Sequence, residues 1–191
     1  MIVLMDMDGV LVDFVGGICR AHGREWPYHD RKNLGEYDTA KVIGMAPEKF
    51  WRPCNRQEFW EQLEWTEDGT EILDAAEKLL GPENVYLLTS PTISAGAYAG
   101  KFAWVEQNLP HYKRRLLMGA CKHLCALEGT VLVDDSDKNV EDFRRAGGEA
   151  ILVPRPWNAN YECSTFAAQW VKGSLNALTE ATEEEEVAHA R

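Results

Sequence analysis

"VLMDMDGVLVDF", residues 3–14, sets two aspartates, Asp6 and Asp8, between apolar runs, with Gly9 directly after them. The run just before, "IVLM" (2–5), shows no polar alternation, as in a strand covered on both faces of a parallel sheet. In an open α/β sheet, ligands gather beyond the carboxyl ends of the strands, near a reversal in strand order. A bare pair of carboxylates at that point repels, and burial raises their pKa values. A divalent cation removes both difficulties, and aspartate and backbone oxygens are hard ligands that suit Mg2+. Gly9 lets the chain turn close to the site.

Four further apolar runs follow: "VYLLT" (85–89), "RLLM" (115–118), "TVLV" (130–133) and "AILV" (150–153). Helical patterns alternate with them. "TEILDAAEKLLG" (70–81) puts Ile72, Leu73, Ala76, Leu79 and Leu80 on one face and ends at Gly81-Pro82. "AYAGKFAWVEQNL" (97–109) repeats the theme with Phe102, Val105 and Leu109, and "DKNVEDFRRAGG" (137–148) with Val140, Phe143 and Ala146. The alternation predicts an α/β domain with a doubly wound, mostly parallel five-stranded, Rossmann-like sheet. Residues 15–69 break the rhythm and are rich in aromatic and charged side chains. So long a stretch is not a plain loop, and it is predicted to be a small helical cap inserted after strand one. The core is then 1–14 and 70–178. The tail 179–191, with five glutamates, is expected to be frayed or disordered.

Charge narrows the partners. The net charge is −11, which disfavours nucleic-acid backbone and anionic membrane. No run approaches the roughly 18 apolar residues of a membrane span. No basic leader precedes the first strand, and five cysteines without a small-domain pattern fit reduced thiols in the cytoplasm. Cys121 and Cys125 have no matching Cys/His pair, so a zinc site is not expected.

A second acidic pair, Asp134-Asp135 in "VLVDDSD", closes another buried run. One such pair is commonly a turn or a helix cap; two at separate strand ends point to a shared cation. "VYLLT" ends in Thr89-Ser90-Pro91, whose hydroxyls and N–H groups can hold a phosphoryl oxygen or simply cap a helix. Lys122, after the third run, can reach the same edge.

These four elements, in this order, resemble the haloacid dehalogenase-like (HAD) phosphohydrolase superfamily: "DMDGV" as its first motif, "LLTSP" as its second, Lys122 as its third and "VDDSD" as its fourth. A closer likeness is to the 5′(3′)-deoxyribonucleotidase group, carried by "DMDGVL", "FWEQL" (59–63), "TSP", "KFAWVEQNL" (101–109) and "VDD". The chain departs from that group at "GAC" (119–121), and "VPRPWN" (153–158) looks more like bacterial and phage relatives.

The resemblance implies a phosphatase in which Asp6 attacks phosphorus to form an aspartyl-phosphate. Asp8 protonates the leaving alkoxide and then deprotonates the incoming water. That double part asks for an Asp8 pKa tuned above that of a metal-held Asp6. Mg2+ is implied on Asp6, the Asp8 carbonyl and Asp135, with Asp134 orienting bound water. Thr89, Ser90 and Lys122 are implied at the phosphoryl oxygens. Phe50, Trp51, Phe59, Trp60 and Trp65 are cap aromatics that either contact a base or make the cap's own core, and Arg155 and Trp157 fall near the active edge or pack the exit loop. The substrate implied is a nucleoside monophosphate, with deoxy forms preferred. A sugar phosphate or other small phosphomonoester stays open, as does a non-catalytic binding module on the same fold. The sequence carries no signal for an oligomer.

Overall fold

The computed structural model of the chain describes residues 1–189. Strands β1 (Ile2–Met5), β2 (Val85–Thr89), β3 (Leu116–Met118), β4 (Thr130–Asp134) and β5 (Glu149–Leu152) form one sheet in the order β3-β2-β1-β4-β5. Every neighbouring pair is parallel. The central strands β1 and β4 are almost wholly buried, while β3 and β5 at the edges are partly open. This is why the inner strands read as unbroken apolar runs. The strand order reverses between β1 and β4, so the crevice of the α/β rule opens there.

Alternate residues feed two cores. Val3, Met5, Val85, Leu87, Val131 and Val133 face one layer of helices: α5 (Gly69–Leu80), α6 (Ala95–Asn108) and α8 (Ala167–His189). Leu4, Leu88, Leu132 and Ala150 face the other, where α7 (Asp137–Arg145) supplies Val140 and Phe143. Helix α5 ends where Gly81 adopts φ +84°, which the missing Cβ permits. Its predicted apolar face is right at Ile72, Leu73 and Ala76, but Leu79 is turned outward. Helix α6 is phased differently from its apolar pattern. Phe102 is 42% exposed, and the buried face is Ala97, Gly100, Lys101, Trp104 and Val105. Packing against the insertion decides this phase, and a lysine on the buried face hides it from a hydrophobicity count.

The insertion contains α1 (Phe14–Ala21) and three short helices: α2 (Thr39–Val42), α3 (Pro47–Phe50) and α4 (Gln57–Glu61). It leaves and returns side by side: Asp13 N–H donates to Glu64 O (2.8 Å) and Thr66 N–H to Leu11 O (2.9 Å). Helix α4 lies on α6 so closely that a Cβ on Gly100 would meet Gln57 O at 2.4 Å and Trp60 Cβ at 2.7 Å. A Cβ on Gly96 would meet Asn55 O at 2.4 Å. Phe50, Trp60 and Leu63 accordingly belong to the main core cluster.

The acidic end differs from expectation. Helix α8 continues to His189, its own Leu175 is buried, and Thr179 and Thr182 donate back to the carbonyls of Leu175 and Leu178. The alanines and glutamates there are good helix formers, which a reading by charge alone overlooks. Residues 190–191 lie outside the described residues. Among the described residues no helix is long and apolar enough to cross a membrane.

Candidate active site

Parallel pairing in register builds the site. Met5 faces Val133 across the β1–β4 ladder, and Asp6 N–H donates to Val133 O (2.9 Å). The residues at the ends of these strands, Asp6 just after β1 and Asp134-Asp135 at the close of β4, therefore emerge together. Carboxylate oxygens of Asp6, Asp134 and Asp135 lie within 4.8 Å of one another, and all three residues are buried.

Each carboxylate has a distinct environment. Asp134 is fully buried and subscribed on both oxygens: Oδ1 accepts from Ser136 N–H (2.9 Å), Oδ2 accepts from Lys122 Nζ (2.6 Å), and Asn139 Nδ2 donates to both. Asp135 Oδ2 accepts from Trp157 Nε1 (2.6 Å), while its other oxygen takes no hydrogen bond from the described residues. Asp6 Oδ1 sits 2.7 Å from Lys122 Nζ, but off the direction a hydrogen bond needs, so it is buried with a charge nearby and no aligned donor. Burial pushes the Asp6 carboxyl up to about 7, with the Lys122 charge pulling it down and Asp134 and Asp8 pushing further up. Burial likewise raises Asp135 well above the usual carboxylate range, helped by the charges of Asp134 and Asp6. Lys122 is itself buried. Burial alone would lower its pKa, but the charges of Asp6 and Asp134 outweigh it and hold the ammonium above its ordinary range.

The donor set fits a hard divalent ion. It is all oxygen, crowded and negatively charged, and it includes a buried carboxylate oxygen without an aligned partner. Gly9 makes the crowding possible. At φ +72°, a Cβ on it would lie 2.2 Å from Asp135 Oδ2.

Asp8 points elsewhere. Both its oxygens lie 2.6 Å from Nζ of Lys101, whose third acceptor is Thr89 Oγ1 at 3.0 Å. Burial lifts the Asp6 carboxyl, while Asp8 is held in an ion pair with Lys101. Thr89, expected at the phosphoryl group, is 0% exposed and its oxygen serves Lys101 instead.

A cavity of about 440 Å3 opens in front of these groups. Asp6, Asp8, Ser90, Lys122 and Asp135 lie on its core side, and Phe50, Trp51 and Trp60 on the insertion side. Phe50 and Trp60 are almost fully buried and rim the cavity from within the core, whereas Trp51 is 44% exposed. Phe14 stacks between Trp51 and Trp60, with centroids 5.8 and 5.5 Å away.

Three other expected contacts are not at the cavity. Phe59 packs edge-on against Phe14 and Trp60 on the side away from it. Trp65 packs on Trp104 at 4.9 Å. Arg155 is turned into the structure: Nε donates to Gly9 O (2.5 Å), one terminal nitrogen to Val10 O (3.2 Å), and the fork binds Asp68 at 2.7 and 2.8 Å. With every guanidinium nitrogen engaged, it clamps the first loop to the return of the insertion.

The family described as "5' nucleotidase, deoxy (Pyrimidine), cytosolic type C protein" matches residues 1–178. The chain belongs to this family. The human (Homo sapiens) cytosolic-type 5'(3')-deoxyribonucleotidase is 30% identical over 146 residues, covering 71% of this chain and 70% of the relative. Among solved structures, a HAD family enzyme of Bacteroides thetaiotaomicron in complex with magnesium is similar at 17% identity and a TM-score of 0.44, over 83% of this chain and 93% of that one. A phosphonoacetaldehyde hydrolase-like protein of Oleispira antarctica is similar at 15% identity and a TM-score of 0.43, over 92% and 84%.

Within this family member, several residues in and behind the cavity escape a motif search. Lys101 sits on the buried face of α6, four residues after Ala97 and three before Trp104, a placement that marks it as a buried cation once the helix phase is known. Thr92 lines the cavity with a buried hydroxyl that finds no partner among the described residues. Tyr37 is half exposed along its ring, yet its hydroxyl end faces Ser136 and Asp135. The Asp135 charge, with burial of that end, pushes its pKa far above the usual tyrosine value. Neither residue carried a sequence signal, because both come from loops whose course only the fold reveals.

Proposed function

We propose that the protein is a Mg2+-dependent phosphomonoester hydrolase: a 5′-nucleotidase that acts on nucleoside monophosphates, deoxy forms preferred, through an aspartyl-phosphate. The observation that carries this is Asp6. A buried carboxylate with one oxygen unmatched by any aligned donor stands at the base of a cavity of about 440 Å3, beneath the Phe14–Trp51 stack. Family membership supports the nucleotidase class.

Asp6 attacks phosphorus. The Asp6 oxygen–phosphorus bond forms, the bond to the ester oxygen breaks, and that oxygen takes a proton from Asp8. Water then attacks the aspartyl-phosphate and loses a proton to Asp8, releasing phosphate and restoring Asp6. Lys122 and Ser90 border the same space and would bind the phosphoryl oxygens, where negative charge collects. Thr92, with its unmatched hydroxyl, joins them. Asp6, the Asp8 carbonyl and Asp135 would hold Mg2+, with Asp134 behind them, because both Asp134 oxygens already accept from Lys122, Ser136 and Asn139. Bound there, the ion would offset charge on the transferring group. Trp51 and Phe14 would cover the base. The substrate partner is thus a small phosphorylated metabolite. Five free cysteines fit a cytoplasmic setting.

The test is phosphate release from dUMP and dTMP by wild type and Asp6→Asn, with and without a chelator. Turnover is expected only in wild type with free Mg2+. Turnover that survives chelation, or an equally active Asp6→Asn, defeats the proposal.

A further inference from the structure

Lys101 is a buried cation beside Asp8 that the scheme above leaves without a task. Its side chain is 1% exposed, and its ammonium has three hydrogens and three acceptors: Asp8 Oδ1, Asp8 Oδ2 and Thr89 Oγ1. On its remaining side lies the ring of Trp60 from the insertion, 4.5 Å from Nζ to the centroid. An unpaired ammonium would be costly here, but each of its protons is matched and an aromatic face covers the rest. The Asp8 carboxylate that it grips is still 25% exposed, toward the cavity.

We propose that Lys101 is a positioning residue for Asp8. It holds the carboxylate by both oxygens in one rotamer, with its remaining lone pairs presented to the water that cleaves the phosphoenzyme. The reasoning is geometric. A carboxylate at the end of a short side chain has several staggered positions, and a general base works only within hydrogen-bond reach of the proton it removes. The two equal contacts of 2.6 Å select one position. Trp60 and Thr89 in turn fix Lys101, so the base is held from the insertion on one side and from β2 on the other. The inference rests on the phosphatase proposal above and assigns a residue to its second half-reaction.

Lys101→Met keeps the aliphatic stem and removes the charge. p-Nitrophenyl phosphate is the probe, because its leaving group departs without a proton and so isolates the hydrolysis of the phosphoenzyme. Lys101→Met is expected to release about one equivalent of nitrophenolate per chain in a burst, then turn over ~10²–10³-fold more slowly than wild type, the size of a displaced general base. A phosphoryl adduct on Asp6 should accumulate in its intact-mass spectrum, and KM should fall along with kcat, so that kcat/KM stays within about threefold of wild type. Loss of the burst together with turnover, or turnover equal to wild type, overturns the role of Lys101. Lys101→Gln serves if Lys101→Met gives no cooperative melt. It is shorter and uncharged and cannot hold both Asp8 oxygens, so it is judged by the same burst, adduct and rate. Wild type that releases no nitrophenolate defeats the phosphatase proposal itself, whereas active wild type with an unaffected Lys101→Met defeats only this inference.

Discussion

Replacing Arg155 with methionine separates two roles for a residue that its place in the chain leaves ambiguous. The substitution removes donors to Gly9 O and Val10 O and leaves Asp68 without its bidentate partner. Breaking a buried ion pair from one side costs about 3–5 kcal/mol. Asp68 keeps 21% of its side chain in water and can be partly rehydrated, so the lower end, about 3 kcal/mol, applies. In a chain of this size each kcal/mol moves Tm by about 2–4 °C, so the drop should be about 6–12 °C. Asp68→Asn should weaken the fold by a smaller amount, and the double variant should melt close to Arg155→Met, because both remove one shared interaction. The assay is thermal and urea unfolding of the four proteins, paired with KM for a nucleotide. An Arg155→Met protein that melts within about 2 °C of wild type while its KM rises refutes the clamp and returns Arg155 to the substrate.

Trp51→Ala should raise KM for a nucleotide severalfold with little change in Tm, since Trp51 is 44% exposed; Michaelis constants and melts of the same preparation check this. Gly100→Ala drives a methyl against the carbonyl of Gln57 and Cβ of Trp60, so unfolding free energy should fall by about 1–3 kcal/mol in a denaturant titration. Stability without metal should depend on pH in a definite direction. Burial lifts Asp6 from 3.8 to about 7 and raises Asp135 too, so the fold binds more protons than the unfolded chain between those limits. Their contribution is full below the unfolded pKa and is lost as pH rises through about 7. Melting in chelator from pH 5 to 8 should therefore decline relative to melting with Mg2+, and a rise over that interval contradicts it.

The strands were legible because the two central ones are covered on both faces, so burial dictates apolar residues at nearly every position of "IVLM" and "TVLV". The meeting of Asp6 with Asp134 and Asp135 was legible too, since strand-end carboxylates converge wherever their strands pair in register. What escaped depends on side-chain direction. "VPRPWN" reads the same whether Arg155 points to a substrate or to Asp68, and only the positions of Gly9, Val10 and Asp68 decide it. Phe59 and Trp60 are neighbours in sequence, yet only Trp60 reaches the cavity, because consecutive residues of a helix face different ways. Lys101 was hidden for the opposite reason. A lysine counts as polar in any periodicity, and the glycines that bring α4 onto α6 are silent in it.

Those glycines also bear on how a substrate reaches its seat. With no side chain at 96 or 100, backbone lies on side chain and backbone across the α4–α6 seam, and neither helix can tilt without tearing it. The breathing that admits a nucleotide must then belong to the outer strip, where Tyr37–Ala40 and Pro47–Trp51 wall the cavity with single helical turns. A covalent tether joining α4 to α6 should leave turnover intact, whereas one spanning that strip should shut the doorway.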